Sequence, residues 1–180
     1  MIYVFLAEGF EEMEALSPVD ILRRAGIECK TVGVTGKTVA GSHGIPVTAD
    51  ILPEEIDYSL LSGVILPGGM PGAENLEKSQ SVIRAVKFAD ENDKLIAAIC
   101  AAPYILGKLG ILNGRKATCF DGFEKYFDGG EYTENPVETD GNVITAFGAG
   151  AALLFALEIV KKIKGHTAAQ KLYDGMKCIF

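Results

Sequence analysis

The chain has 180 residues, 48% hydrophobic and 23% charged, which suits one globular unit over residues 1–180 with a substantial core. A net charge of −7 at pH 7 argues against nucleic acid as a partner. Four cysteines (Cys29, Cys100, Cys119, Cys178) and two histidines (His43, His166) show no metal-ligand spacing, so no metal site is expected.

The opening run IYVFLA (2–7) reads as a strand buried on both faces. It is too short for a signal sequence and lacks basic residues before it, and no apolar run approaches the roughly 20 residues of a bilayer span. The expectation is a cytoplasmic protein without a membrane anchor. EEMEALSPVDILRRAG (11–26) reads as a helix stopped by Gly26, followed by strands CKTVGV (29–34) and SGVILP (62–67). In SVIRAVKFADEN (81–92), Val82, Ile83, Val86 and Ala89 recur at helical spacing behind the cap candidates Ser79 and Ser81. LIAAI (95–99) reads as a strand running into a helix, AAPYILGKL (101–109). KATCF (116–120) and NVITAF (142–147) are the last strand candidates, and a helix over 150–164 places Leu153, Leu157 and Val160 on one stripe. Strands alternating with helices, and apolar on both faces, predict a mostly parallel sheet covered on two sides. There is no internal repeat or linker.

In such a sheet ligands bind beyond the carboxyl ends of the strands, so the strand-to-helix turns carry the search for function. Cys100 sits at one of them, with Ala98 and Ala102 two residues to either side. Small residues at those positions suit a nucleophile elbow, a sharp turn that displays one side chain and tolerates no bulk beside it. Its place at a helix N-terminus favours thiolate over thiol. Geometry alone leaves Cys100 open to either reading, core thiol or nucleophile, because free cysteine is commonly buried. A second turn, LPGGMPGAENL (66–76), carries Gly68 and Gly69, whose backbone can aim N–H groups at a neighbouring site or simply open a helix. The third is AEGFEEMEAL (7–16). Glu11 and Glu12 suit a first helical turn, whereas Glu14 faces inward, where a carboxyl tends to stay protonated and can act as general acid and base.

Together EEMEA with PVDILRRAGI, LPGG with GAENL, AAICAAP and the late VITAFGAGAALLFALEIV resemble the DJ-1/ThiJ/PfpI superfamily, in its DJ-1-like branch, in family order and over essentially the whole chain. The resemblance implies an α/β flavodoxin-like three-layer sandwich with a cysteine nucleophile elbow, usually assembled as a homodimer. It implies Cys100 as nucleophile, Glu14 as general acid/base, and the N–H groups of Gly69 and Ala101 facing the substrate oxygen. Gly68, His43, Phe120 and Phe147 fall at substrate-binding positions. The implied activity is glutathione-independent conversion of methylglyoxal-type α-oxoaldehydes and deglycation of their early adducts, without metal or organic cofactor. The alternative is a redox-sensing stress protein or holdase chaperone built on an oxidisable cysteine.

The chain departs from the branch at three positions. Phe120 stands where a histidine is found, Phe147 where an arginine is found, and His43 where a second arginine approaches the site from the partner subunit. Neither histidine occupies a triad position, which disfavours a cysteine peptidase or amidase.

Overall fold

The computed structural model describes residues 1–179. Its elements in chain order are β1 (Ile2–Leu6), α1 (Glu12–Arg24), β2 (Cys29–Gly33), β3 (Thr38–Ala40), β4 (Pro46–Thr48), β5 (Gly63–Leu66), α2 (Gly72–Lys78) and α3 (Gln80–Glu91). There follow β6 (Leu95–Ile99), α4 (Pro103–Lys108), β7 (Lys116–Ala117), β8 (Glu131–Tyr132), β9 (Val137–Asp140), β10 (Val143–Ala146), α5 (Ala152–Lys164) and α6 (His166–Gly175). Six strands form the central sheet in the order β2-β1-β5-β6-β10-β9. All neighbours run parallel except the edge pair β9 and β10.

Alternation along the strands divides the core into two layers. Tyr3, Phe5, Val64, Leu66, Ile96 and Ala98 pack with residues of α2, α3 and α4 on one face. Ile2, Val4, Leu6, Ile65, Ala97 and Ile99 pack with α1 and α5 on the other. Side chains such as Phe5, Leu6, Ile96 and Ile99 are fully buried, each contributing about 1.5–3 kcal/mol of hydrophobic stabilisation. Burial on both faces is why these strands read as unbroken apolar runs. Among the described residues no helix is long and apolar enough to cross a membrane.

The helix α1 follows from local signals. The Glu11 carboxylate caps it by accepting the Glu14 N–H at 2.7 Å, and Arg23 and Arg24 complement the dipole in the last turn. Gly26 follows at φ +63°, the left-handed conformation that suits glycine after a helix.

Two expectations are corrected, and one strand carries no sequence signal. KATCF contributes only the two-residue β7, which pairs with β8 outside the central sheet. Beyond it the Thr118 N–H donates to the Thr145 hydroxyl and the Phe120 N–H to the Cys100 carbonyl, so these donors are not free for a strand ladder. The remaining edge of the sheet belongs instead to β9, a polar segment with no apolar signature. On α5, Leu157 and Val160 are buried but Leu153 is exposed, because its position turns away from the sheet.

Candidate active site

The parallel strands β1, β5 and β6 deliver their following turns to one edge of the sheet. After β6 the backbone of Cys100 adopts φ +65°, a left-handed conformation that costs a residue other than glycine about 1–2 kcal/mol. Two hydrogen bonds pin it there. The Cys100 N–H donates to the Ala146 carbonyl and the Cys100 carbonyl accepts from the Phe120 N–H, both at 2.8 Å. Tertiary contacts thus hold the elbow, and Cys100 remains half-buried while Ala101 and Ala102 beside it are buried.

After β5 come the two glycines. A Cβ on Gly68 would lie 2.7 Å from the Cys100 Cβ and 2.8 Å from Glu14 Oε2, so the site needs hydrogen at that position. Gly69, at φ +81°, packs its backbone against Gly9 and Glu11.

Glu14 of α1 is fully buried. Its Oε2 accepts the Gly68 N–H at 2.8 Å, while Oε1 is buried with no hydrogen-bond donor. Glu14 and the Cys100 thiol are close enough for each to alter the other's ionisation. Burial pushes the Glu14 carboxyl up to about 7, against the opposing influence of the thiol and the Gly68 N–H. Burial, reinforced by the Glu14 charge, pushes the Cys100 thiol up to about 12, opposed by the N–H groups of Gly69 and Ala101. The helix that follows contributes little opposing field, since α4 has six residues and starts only at Pro103.

Phe120 and Phe147 are both exposed, 51% and 40%, and each belongs to a backbone segment bonded to Cys100. His43 is differently placed. Within this chain its Nδ1 lies 2.8 Å from Glu12 Oε2, in the loop between β3 and β4. Glu12, in the first turn of α1 where the sequence places it, is buried, and it also accepts N–H groups from His43 and Ile45 and the Ser42 hydroxyl. Burial alone would raise the Glu12 carboxyl, but the hydrogen bonds from the His43 side chain and from the N–H groups of His43 and Ile45 outweigh it and hold the carboxyl down at about 2. Among the described residues, Glu11, Glu12 and His43 are the one set of three potential metal ligands lying within 4.8 Å of one another. Hydrogen bonds within the chain already engage both Glu12 oxygens. Cys119 is fully buried and its thiol is pushed up to about 12 by burial, as suits a core cysteine.

A three-layer α/β sandwich that presents a cysteine on a left-handed elbow, beside a buried carboxylic acid and a glycine turn, defines a flavodoxin-like protein with a cysteine-centred site. The chain belongs to the DJ-1/PfpI family, whose sequence model matches residues 1–162. It is 39% identical to the Parkinson disease protein 7 homolog of Danio rerio over 174 residues, 94% of this chain and 92% of that protein. It is 27% identical to Deglycase TK1284 of Thermococcus kodakarensis over 165 residues, 91% of this chain and 99% of that one. The solved structure of oxidized Toxoplasma gondii DJ-1 superposes with a TM-score of 0.95 at 32% identity, covering 99% of this chain and 98% of that one. The chain spans only 38% of the length of a further relative, Protein DJ-1 homolog B of Arabidopsis thaliana, at 36% identity.

Proposed function

We propose that the chain is a cysteine-dependent glyoxalase and deglycase that acts, without glutathione or cofactor, on methylglyoxal-type α-oxoaldehydes and their early adducts with amines and thiols. The observation that carries this reading is the buried Glu14 carboxyl, fixed by the Gly68 N–H and facing the Cys100 thiol. A carboxyl held near neutrality can both accept and return a proton.

Cys100 sulfur attacks the aldehyde carbon as Glu14 takes the thiol proton and passes it to the new alkoxide, giving a hemithioacetal. Glu14 then removes the proton from that carbon and returns it to the neighbouring carbon through an enediol, which leaves a thioester of a 2-hydroxy acid. Water cleaves the thioester, releasing lactate from methylglyoxal and restoring the thiol. The N–H groups of Gly69 and Ala101 supply positive field where negative charge develops. Atoms balance as oxoaldehyde plus water to hydroxy acid, with no external oxidant.

The test is enantiomer-resolved lactate formation from methylglyoxal, with no added thiol or metal. Wild type is expected to turn over, and Cys100→Ser and Glu14→Gln to lose the activity; full product formation by Cys100→Ser overturns the proposal. A redox role is the second reading, supported by the same half-buried Cys100 beside a carboxyl whose raised ionisation, up to about 7, lets it donate to a cysteine sulfinate. An increase of two oxygens in mass under mild peroxide, lost in Cys100→Ala, together with no lactate from folded wild type, selects it.

The proposed assembly is a homodimer. Exposed Met13 and Leu153, from α1 and α5, flank a shallow hollow with Leu16 and offer apolar surface to a second copy. Four free cysteines suit a reducing compartment, the cytoplasm.

A further inference from the structure

The loop between β3 and β4 is joined to the segment that carries Glu14. The Gly9 N–H donates to the Ala40 carbonyl at 2.9 Å and the Ser42 N–H to the Phe10 carbonyl at 2.8 Å. Glu12 completes the join. Its Oε1 accepts the His43 N–H at 2.8 Å, and its Oε2 meets the His43 ring at 2.8 Å and the Ser42 hydroxyl at 3.3 Å. A Cβ on Gly41 would collide with this carboxylate, so the loop backbone lies directly against it. On its other side the same helical turn meets the reactive centre: the Glu11 N–H donates to the Gly68 carbonyl at 3.0 Å, and the Glu11 carboxylate accepts the Glu14 N–H at 2.7 Å. One buried carboxylate therefore ties an exposed loop to the turn that aims Glu14 at Cys100.

We infer that Glu12 and His43 are positioning residues for Glu14: by clamping the loop over residues 41–45 to the first turn of α1, they hold the proton carrier against the Cys100 sulfur. This role rests on the assignment of Glu14 proposed above. It does not require His43 to touch substrate. Truncating either partner leaves a buried carboxylate short of donors or removes it, and the first turn relaxes away from the elbow. The groups facing the His43 ring are Glu12 and Glu11 of the α1 segment, with the neighbouring Ser42 hydroxyl at 3.2 Å from its Nδ1.

The experiment is the rate of Cys100 alkylation by iodoacetamide between pH 5 and 10, read by peptide mass. It is run beside lactate kinetics on wild type, Glu12→Gln, His43→Ala and His43→Gln, each checked for folding by thermal unfolding. A relaxed Glu14 no longer raises the thiol, so Glu12→Gln and His43→Ala are expected to alkylate about threefold faster at pH 7 and to lose about tenfold in kcat with KM within twofold. His43→Gln, which keeps a donor toward Glu12 without the charge, is expected to restore most of both. Wild-type alkylation profiles in folded His43→Ala and Glu12→Gln overturn the inference. Should Glu12→Gln not fold, the surface variant His43→Ala decides. Absence of lactate from wild type removes the proposed activity, whereas the alkylation shift still tests the clamp.

Discussion

Gly68 donates its N–H to Oε2 of Glu14 at 2.8 Å, and its α-carbon lies so close to Cys100 that an added methyl would meet the cysteine Cβ at 2.7 Å. One residue thus fixes the carboxyl and makes room for the nucleophile. Gly68→Ala must displace the carboxyl, the elbow, or the Ile99 carbonyl at 2.9 Å, all of them held by other contacts. The expected cost is about 1–3 kcal/mol by urea denaturation, with lactate formation reduced at least tenfold. Unchanged activity in Gly68→Ala would show that the carboxyl does not need this placement.

The elbow stores strain that a stability comparison can expose. At φ +65° a side chain is disfavoured, so Cys100→Gly relieves strain that Cys100→Ala retains. In a helix or strand the order would be the reverse. Here Cys100→Gly is expected to exceed Cys100→Ala by about 1 kcal/mol in urea denaturation, with both inactive. An alanine variant as stable as the glycine variant would mean the backbone relaxes away from the left-handed conformation once sulfur is removed.

Activity should follow the ionisation of Glu14, which must be charged to accept the thiol proton. With its carboxyl pushed up to about 7, kcat/KM is expected to rise from pH 5 and level off above neutrality, well to the alkaline side of an ordinary glutamate. Because Glu14 and Cys100 influence each other, the midpoint belongs to the pair. A profile already flat at pH 5 would remove Glu14 from the role of base.

The parts of this site legible in the sequence are those set by nearest neighbours. Ala98 and Ala102 around Cys100 mark an elbow because crowding there is local, and Glu14 reads as inward because helical spacing fixes its side. Glu12 belongs to the same turn and was not legible. Its burial depends on Ser42, His43 and Ile45, about thirty residues away, and no local pattern encodes that contact. KATCF failed as a sheet strand for a similar reason: its β-rich composition is local, but its hydrogen bonds go to Thr145 and Cys100. The strand β9 carries no apolar signal because an edge strand does not need apolar residues. The burial around Cys100 that pushes its thiol up comes from segments distant in sequence, which a helix N-terminus alone does not reveal.

Opposed shifts in Glu12 and Glu14 predict where the fold is most stable. The Glu14 carboxyl is raised from 4.5 to about 7, so its contribution is fully present below pH 4.5 and is lost as pH rises through 7, by at most about 3 kcal/mol. His43 is also raised, by its hydrogen bond and charge interaction with Glu12, and its contribution is likewise lost on the alkaline side. Glu12 is lowered from 4.5 to about 2, so its contribution is present above 4.5 and is lost as pH falls toward 2. The hydrogen-bonded acids Asp50 and Glu77 are lowered too and add to the acid-side loss. Alkaline and acid losses meet between these windows, placing maximum stability near pH 5. Urea denaturation from pH 3 to 9 should show that maximum for wild type. In Glu14→Gln, with no carboxyl left to ionise beside Cys100, the decline between pH 5 and 8 should become shallower, making this inactive variant the more stable one at pH 8. A wild-type maximum at pH 8 would mean that Glu14 is not held protonated by burial, and the proton-carrier assignment would lose its physical basis.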